Sequence, residues 1–423
     1  MKRDRYNLLH ILRNLKDMKA EEVELFARKT LPFFFAVVFV TTAVVGTLNY
    51  LTHNGWSIGD WLINYEAGFI RRGFFGQCVF NISSYTGINA GLIVLISQLL
   101  FYLLFFIFSY LLLINRKFLF PFSFLILSPF IFLFQIYDHY GGFRKEIIYF
   151  AILSFLVWAS RFIEFNKFAK AFFIILLIFP LIVLTHEMLI VFLPYVLIVY
   201  ISKVKIDWKT VSMIFPVVLL SFIAFAFCVL YRGNQEQVSG IYSSLRSVNY
   251  TVGDGAISSL ALTAKQAFKR VADLIMNQHY YLYTLSLGFS SIAFWPVHNI
   301  YDRDPISKSC ILLVAISLAG TIPLCAVAVD WGRFIYIHLV SIFLILFLFD
   351  SNSLDHQRYS DKKMMDIFSK YVGKKFQYVY MFIFWYLFLW YIPHYQAPTL
   401  YPKQFNLFEF VKPYMELLRY LRS

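Results

Sequence analysis

The chain has 423 residues, of which 60% are hydrophobic, 20% aromatic and only 15% charged, and its formal net charge is +14. A water-soluble domain has nowhere to bury so much apolar surface, so the composition excludes one and implies an all-α, polytopic bundle of transmembrane helices in a lipid bilayer. The basic balance reads as Lys and Arg held in loops on one side of a membrane, and no nucleic-acid partner is expected.

In chain order, a basic segment over 1–30 leads into the first apolar run. It is too long and too charged for an ordinary signal peptide. About eleven spans are expected, at 31–51, 89–114, 118–137, 147–163, 171–185, 188–202, 210–231, 281–300, 309–329, 334–349 and 376–393, because some twenty apolar residues cross the hydrocarbon. These make a membrane domain over 31–393, followed by a peripheral tail over 394–423. The loops 1–30, 115–117, 161–170, 203–209, 301–308 and 350–375 carry 24 of the 38 Lys and Arg. That side is expected to be cytoplasmic, with the N-terminus inside and the C-terminus outside.

The stretch 171–201 is too long for one span, roughly 46 Å as a single helix. A hairpin of two short helices turning at His186-Glu187 is expected, its tip sunk in a cavity that protein walls off from lipid. Two external loops are long enough to carry structure. The loop 52–88 is rich in aromatic residues that suit an interface plane. The loop 232–280 opens with several glycines, reads as a mobile flap, and becomes helix-like over 256–276.

Charge breaks the apolar pattern at five places, all on the expected outer side, where it is costly enough to need a reason. The segment from Glu66 to Gly76 carries Arg71 and Arg72, which can hold phosphate oxygens through a bidentate fork. Glu66 can take a proton from a hydroxyl or hold a metal. The plainer alternative is an arginine pair anchoring headgroups. Asp138, Arg144, Lys145 and Glu146 follow in a short loop. Arg144 and Lys145 at a helix start oppose its dipole, a conflict that a bound anion would resolve. His186 and Glu187 form either an acid–base pair or a mutually satisfied turn. Asp330 and Arg333 either join a site or simply pair with each other, and Arg232 reads as a snorkelling anchor. The four cysteines, Cys78, Cys228, Cys310 and Cys325, have no metal or redox spacing.

On these loops and this topology, residues 31–231 resemble the membrane glycosyltransferases of the GT-C type. The resemblance implies juxtamembrane helices in the first external loop, and acidic residues there and between the third and fourth spans that serve catalysis or bind a divalent cation such as Mg or Mn. The matching positions are Asp60 and Glu66, and Asp138 and Glu146; the first loop has no adjacent acidic pair. It further implies a polyprenyl-phosphate or polyprenyl-diphosphate sugar donor and a glycan or lipid-linked acceptor. The chain is also similar to bacterial O-antigen and capsule polymerases, which hold diphosphate-linked glycans with external arginines and work among other polysaccharide-assembly proteins. The expectation is a bacterial inner-membrane enzyme in which Glu66, Asp138, His186 and Glu187 carry the chemistry. Arg71, Arg72, Arg144, Lys145 and Arg333 would bind phosphate, with Asp60, Glu146, Asp330 and Arg232 in support. A flippase or secondary transporter is the alternative from another class.

Overall fold

A computed structural model describes residues 20–116, 122–204, 207–277, 282–294, 308–349, 390–395 and 406–422, together with Leu119, Tyr280, Val297 and Tyr386. Their regular structure is entirely helical: α1 (Ala20–Leu51), α2 (Gly73–Thr86), α3 (Ala90–Ile114), α4 (Glu146–Phe162), α5 (Phe165–Thr185), α6 (Leu193–Ile201), α7 (Trp208–Leu230), α8 (Gln235–Ser247), α9 (Ala264–Asn277), α10 (Leu282–Ile292), α11 (Lys308–Val327), α12 (Trp331–Leu346) and α13 (Asn406–Arg422). Six of the described helices, Glu24–Leu51, Ala90–Ile114, Phe165–Thr185, Trp208–Leu230, Lys308–Val327 and Trp331–Phe349, are long and apolar enough to cross a membrane. Glu187–Ile201 and Leu282–Ile292 are shorter apolar helices. The expected span 376–393 and the segments 1–19 and 350–375 lie largely outside the described residues.

The helices begin where short polar side chains can satisfy orphan backbone donors. Asn89 accepts from the Leu92 amide at 3.1 Å, Asp207 from Thr210 at 2.7 Å and Asn234 from Gln237 at 2.8 Å. The core forms where α3 packs on α1 and α4, with the Phe105 ring in contact with those of Phe106, Phe132 and Phe150.

The expected span at 118–137 is not a helix. Its described part is two single turns, Ser123–Ile126 and Phe134–Tyr137, joined by irregular backbone. Pro129 is the local cause, since it lacks an amide donor and disfavours helical geometry at Ser128. Irregular backbone survives at membrane depth only when protein surrounds it. Phe130, Ile131 and Phe132 are accordingly fully buried, and Gln135 donates to the Phe132 carbonyl at 2.7 Å and to Thr42 Oγ1 at 3.0 Å.

The hairpin at 186–187 is present with unequal arms. The first, α5, starts six residues before position 171 and has 21 residues, long enough to cross alone. After an extended His186, residues Glu187–Phe192 form a 3-10 turn that continues into α6. Tyr200 near the end of α6 stacks on Phe172 at 4.6 Å and lies against Phe168, which returns the second arm to the start of the first.

Two other segments differ from expectation. The glycine-bearing part of 232–255 is not a free flap. It contains α8, docked on the first loop through Gln237 to the Phe69 carbonyl (3.1 Å) and Asn64 to Ser244 (3.0 Å). Nor is the tail peripheral: α13 packs along α1, where Tyr414 bonds Thr41 at 3.0 Å.

Candidate functional site

Four buried hydrogen bonds from three side chains of α3 and the first loop hold the site's frame. Gln98 donates to the carbonyls of Ser57 (2.7 Å) and Phe143 (3.1 Å), Tyr102 to that of Gly142 (2.6 Å), and Trp61 to that of Phe143 (2.9 Å). The loop 56–63 is thereby fixed against the turn 142–145. Gly76 permits the next approach, because a Cβ there would overlap the Ile63 backbone.

On this frame sits a dense ionic cluster. Arg72 grips Glu187 with Nε and Nη2 at 2.7–3.0 Å and reaches Asp60 at 3.8 Å. Its backbone is left-handed, with φ +67°, an uncommon state for a side chain of this size. The Lys145 ammonium holds it there by donating to the Arg72 carbonyl at 2.8 Å, and to that of Thr185 at 3.2 Å. Arg144 donates to the Trp56 carbonyl at 3.0 Å, lies over the Trp56 ring and approaches Asp60 at 3.9 Å. Arg333 pairs with Asp330 at 2.9 Å and Glu146 at 3.2 Å, while His186 lies between Glu146 (3.3 Å) and Glu187 (3.6 Å). Four carboxylates thus face Arg72, Arg144, Lys145 and Arg333. Arg71 is the surplus cation: it shares Glu187 only at 3.6 Å, and its Nε is buried with no hydrogen-bond partner among the described residues.

Burial alone would raise the Asp60 carboxyl, but Arg144, Lys145, His186 and Arg72 outweigh it and hold the group well below the usual carboxylate range. Burial pushes the Lys145 ammonium down to about 8 from an ordinary 10.5, with Asp60 opposing and Arg72 adding to the shift. Between those two values the unfolded chain binds more protons than the folded one, so this group makes stability rise with pH across the window. Lys145→Met is expected to lose that rise, read as the difference in melting temperature between the two ends of the window. Equal slopes in both proteins would refute the assignment.

The cluster forms one side of a cavity of about 1250 Å³. Arg71, Arg72, Arg144, Glu187, Asp330, Arg333 and Asp138 all line it, and Arg232 stands at its rim, exposed. Phe225, Cys228 and Val229 of α7 and Pro323, Leu324 and Val327 of α11 form an apolar side. Both helices pack on the 3-10 turn that carries Glu187, and both expose large apolar side chains along their length.

Several expected site residues stand elsewhere or are already engaged. Glu66 is exposed, accepts from Gln77 at 2.7 Å and does not line the cavity. Asp60, Lys145, Glu146 and His186 lie beneath the surface layer, supporting the residues that do. The dipole conflict at Arg144 and Lys145 is resolved by Asp60 and two backbone carbonyls, with no need for an anion. Asp330 and Arg333 do pair. The carboxylates that could have held a divalent cation do not converge: Glu66 is on the outside, Glu146 faces Arg333, and Asp138 is taken by His394. No group of three potential ligands occurs among the described residues.

Sequence reasoning missed His394. It follows an apolar, aromatic run without any motif, and only folding brings it to Asp138, whose carboxylate accepts the His394 amide at 2.6 Å and ring Nδ1 at 2.7 Å. The Gly141 amide adds a bond at 2.9 Å. Burial would raise Asp138, but His394 and Gly141 together hold it below the usual range. Comparison of the chain with family models, with curated proteins and with solved structures finds no match.

Proposed function

We propose that the chain is a bacterial inner-membrane glycosyltransferase of surface-polysaccharide assembly, a GT-C-like bundle of about eleven spans with the cavity facing the periplasm. It takes a sugar or glycan from a polyprenyl-phosphate or polyprenyl-diphosphate carrier. The observation that carries this reading is the cavity's division: an apolar side on two helices that expose large apolar side chains, and beside it the Arg71 guanidinium, whose buried Nε has no hydrogen-bond partner among the described residues. A carrier needs both halves, one for its isoprenoid chain and one for its phosphate. Arg71, with Arg232 near it, meets the phosphate. Arg72, Arg144 and Arg333 add positive field that neutralises charge developing on the leaving group, more effectively in a water-poor site. The acceptor hydroxyl is activated from the Asp138 side.

Transfer of a whole repeat unit, as in a polymerase, uses the same cavity. A flippase or transporter is less well supported, because it needs polar groups near the midplane and access from both faces, whereas the ionic cluster described above gathers at the loop end.

The test is loss of surface polysaccharide in a deletion strain, together with binding of polyprenyl monophosphate by the purified protein; absence of both would reject the reading. Orientation is checked by single-cysteine labelling in a background in which Cys78, Cys228, Cys310 and Cys325 are all replaced by alanine. Tyr140→Cys and Glu236→Cys are expected to react from outside intact cells, and Lys209→Cys only after permeabilisation. Reaction at 209 from outside would sink the topology.

A further inference from the structure

In the same cavity as Arg71 the chain places a histidine that no motif announces. Its seat is built by two glycines. A Cβ on Gly332 would overlap the Pro393 carbonyl oxygen, and one on Gly141 would overlap the His394 side chain. The Tyr283 hydroxyl also donates to the Pro393 carbonyl, at 3.0 Å. The residues around His394 are thus held by α10, by the start of α12 and by the turn after Asp138. The ring is fixed by Nδ1 on Asp138, which itself lies 8% exposed, and both residues line the cavity.

We infer that His394, oriented by Asp138, is the general base that takes the proton from the acceptor hydroxyl. The inference rests on the carrier reading above and names the group that reading left open. Nδ1 faces Asp138, so Nε2 lies on the far edge of the ring and is the nitrogen left to act. As the acceptor oxygen bonds the anomeric carbon, its proton passes to Nε2. The bond from that carbon to the carrier phosphate breaks, and its electron pair leaves on the phosphate oxygen. The imidazolium so formed is stabilised by Asp138 and later returns its proton to water. An imidazole held in one tautomer by a carboxylate suits this task, since the nitrogen away from the carboxylate keeps a lone pair for the proton. Asp138 touches no reacting atom and acts through the ring, as a positioning residue.

The experiment has two readouts on the full chain. Binding of polyprenyl monophosphate is followed by native mass spectrometry of purified protein, and glycan synthesis is followed in washed membranes of the complemented deletion strain. His394→Gln is expected to bind the carrier phosphate like wild type and to lose about a hundredfold or more in synthesis, the usual size of an acid–base contribution. Synthesis by His394→Gly is expected to recover in part when imidazole is added, and that recovery to vanish when Asp138→Asn is combined with it, which loss of a merely structural contact would not produce. Melting temperatures of the variants separate misfolding from lost chemistry. Wild-type synthesis by His394→Gln would overturn the assignment. So would loss of carrier binding in step with synthesis, because a base acts after the donor is seated. Failure of wild-type protein to bind the carrier phosphate would instead overturn the reading beneath it.

Discussion

Glu187→Ala is expected to be the most destabilising single substitution in the cavity wall, costing about 3–5 kcal/mol, the usual range when one partner of a buried ion pair is removed. The reason is what it leaves behind. Arg72 would keep only Asp60, at 3.8 Å, while its guanidinium stayed largely shielded, its side chain 15% exposed. Arg71 and His186 would lose the same carboxylate. The double variant Arg72→Met, Glu187→Leu is expected to recover much of the loss, because apolar residues of similar volume carry no desolvation penalty. Unfolding of the detergent-solubilised proteins measures both. A Glu187→Ala protein that melts with wild type would show that the pair contributes nothing to the fold.

Arg71→Ala is expected to weaken binding of polyprenyl monophosphate by about 10- to 100-fold, the equivalent of one hydrogen-bonded charge at 1.5–3 kcal/mol. Its Nε has no hydrogen-bond partner among the described residues and its pairing with Glu187 is loose, so it has donors to offer. Arg71→Lys should restore only part, since the planar fork is lost. Glu66→Gln, on the outside and bonded to Gln77, should leave binding and synthesis alone. Titration of the three purified variants decides the matter. Equal affinity in Arg71→Ala and wild type would remove this residue from the phosphate site.

What could be read from the sequence was whatever local chemistry controls. Apolar runs of spanning length located α3, α7, α11 and α12 to within three residues, and found the ends of α1 and α5 while missing their starts by eleven and six residues. The hairpin was legible because one helix over 171–201 would overrun the bilayer. Charge where charge is expensive marked Arg71, Arg72, Arg144, Glu187 and Arg333, which folding does gather around one cavity. The broken backbone after Pro129 was less legible, since hydropathy alone does not distinguish a buried irregular segment from a span. Glu66 misled because loop chemistry fixes residue type but not the direction a side chain faces. His394 could not be found, because its meaning lies wholly in a partner 256 residues earlier in the chain.

That separation also orders the protein's biogenesis. Helices enter a membrane as they are made, and α1, α3 and α5 can each satisfy their backbone bonds on arrival. The cavity cannot be finished so early. Its parts and their supports come from residues 60–72, 138–146, 186–187, 330–333 and 394, and Glu409, Lys412 and Glu416 of α13 also line it. Until the last tenth of the chain emerges, Asp138 lacks its histidine and the cavity lies open along one side. Contacts of such long reach form slowly, because loop closure precedes their reward. A ribosome stalled before residue 394 would therefore leave an inserted bundle whose cavity still lacks the residues that close on Asp138.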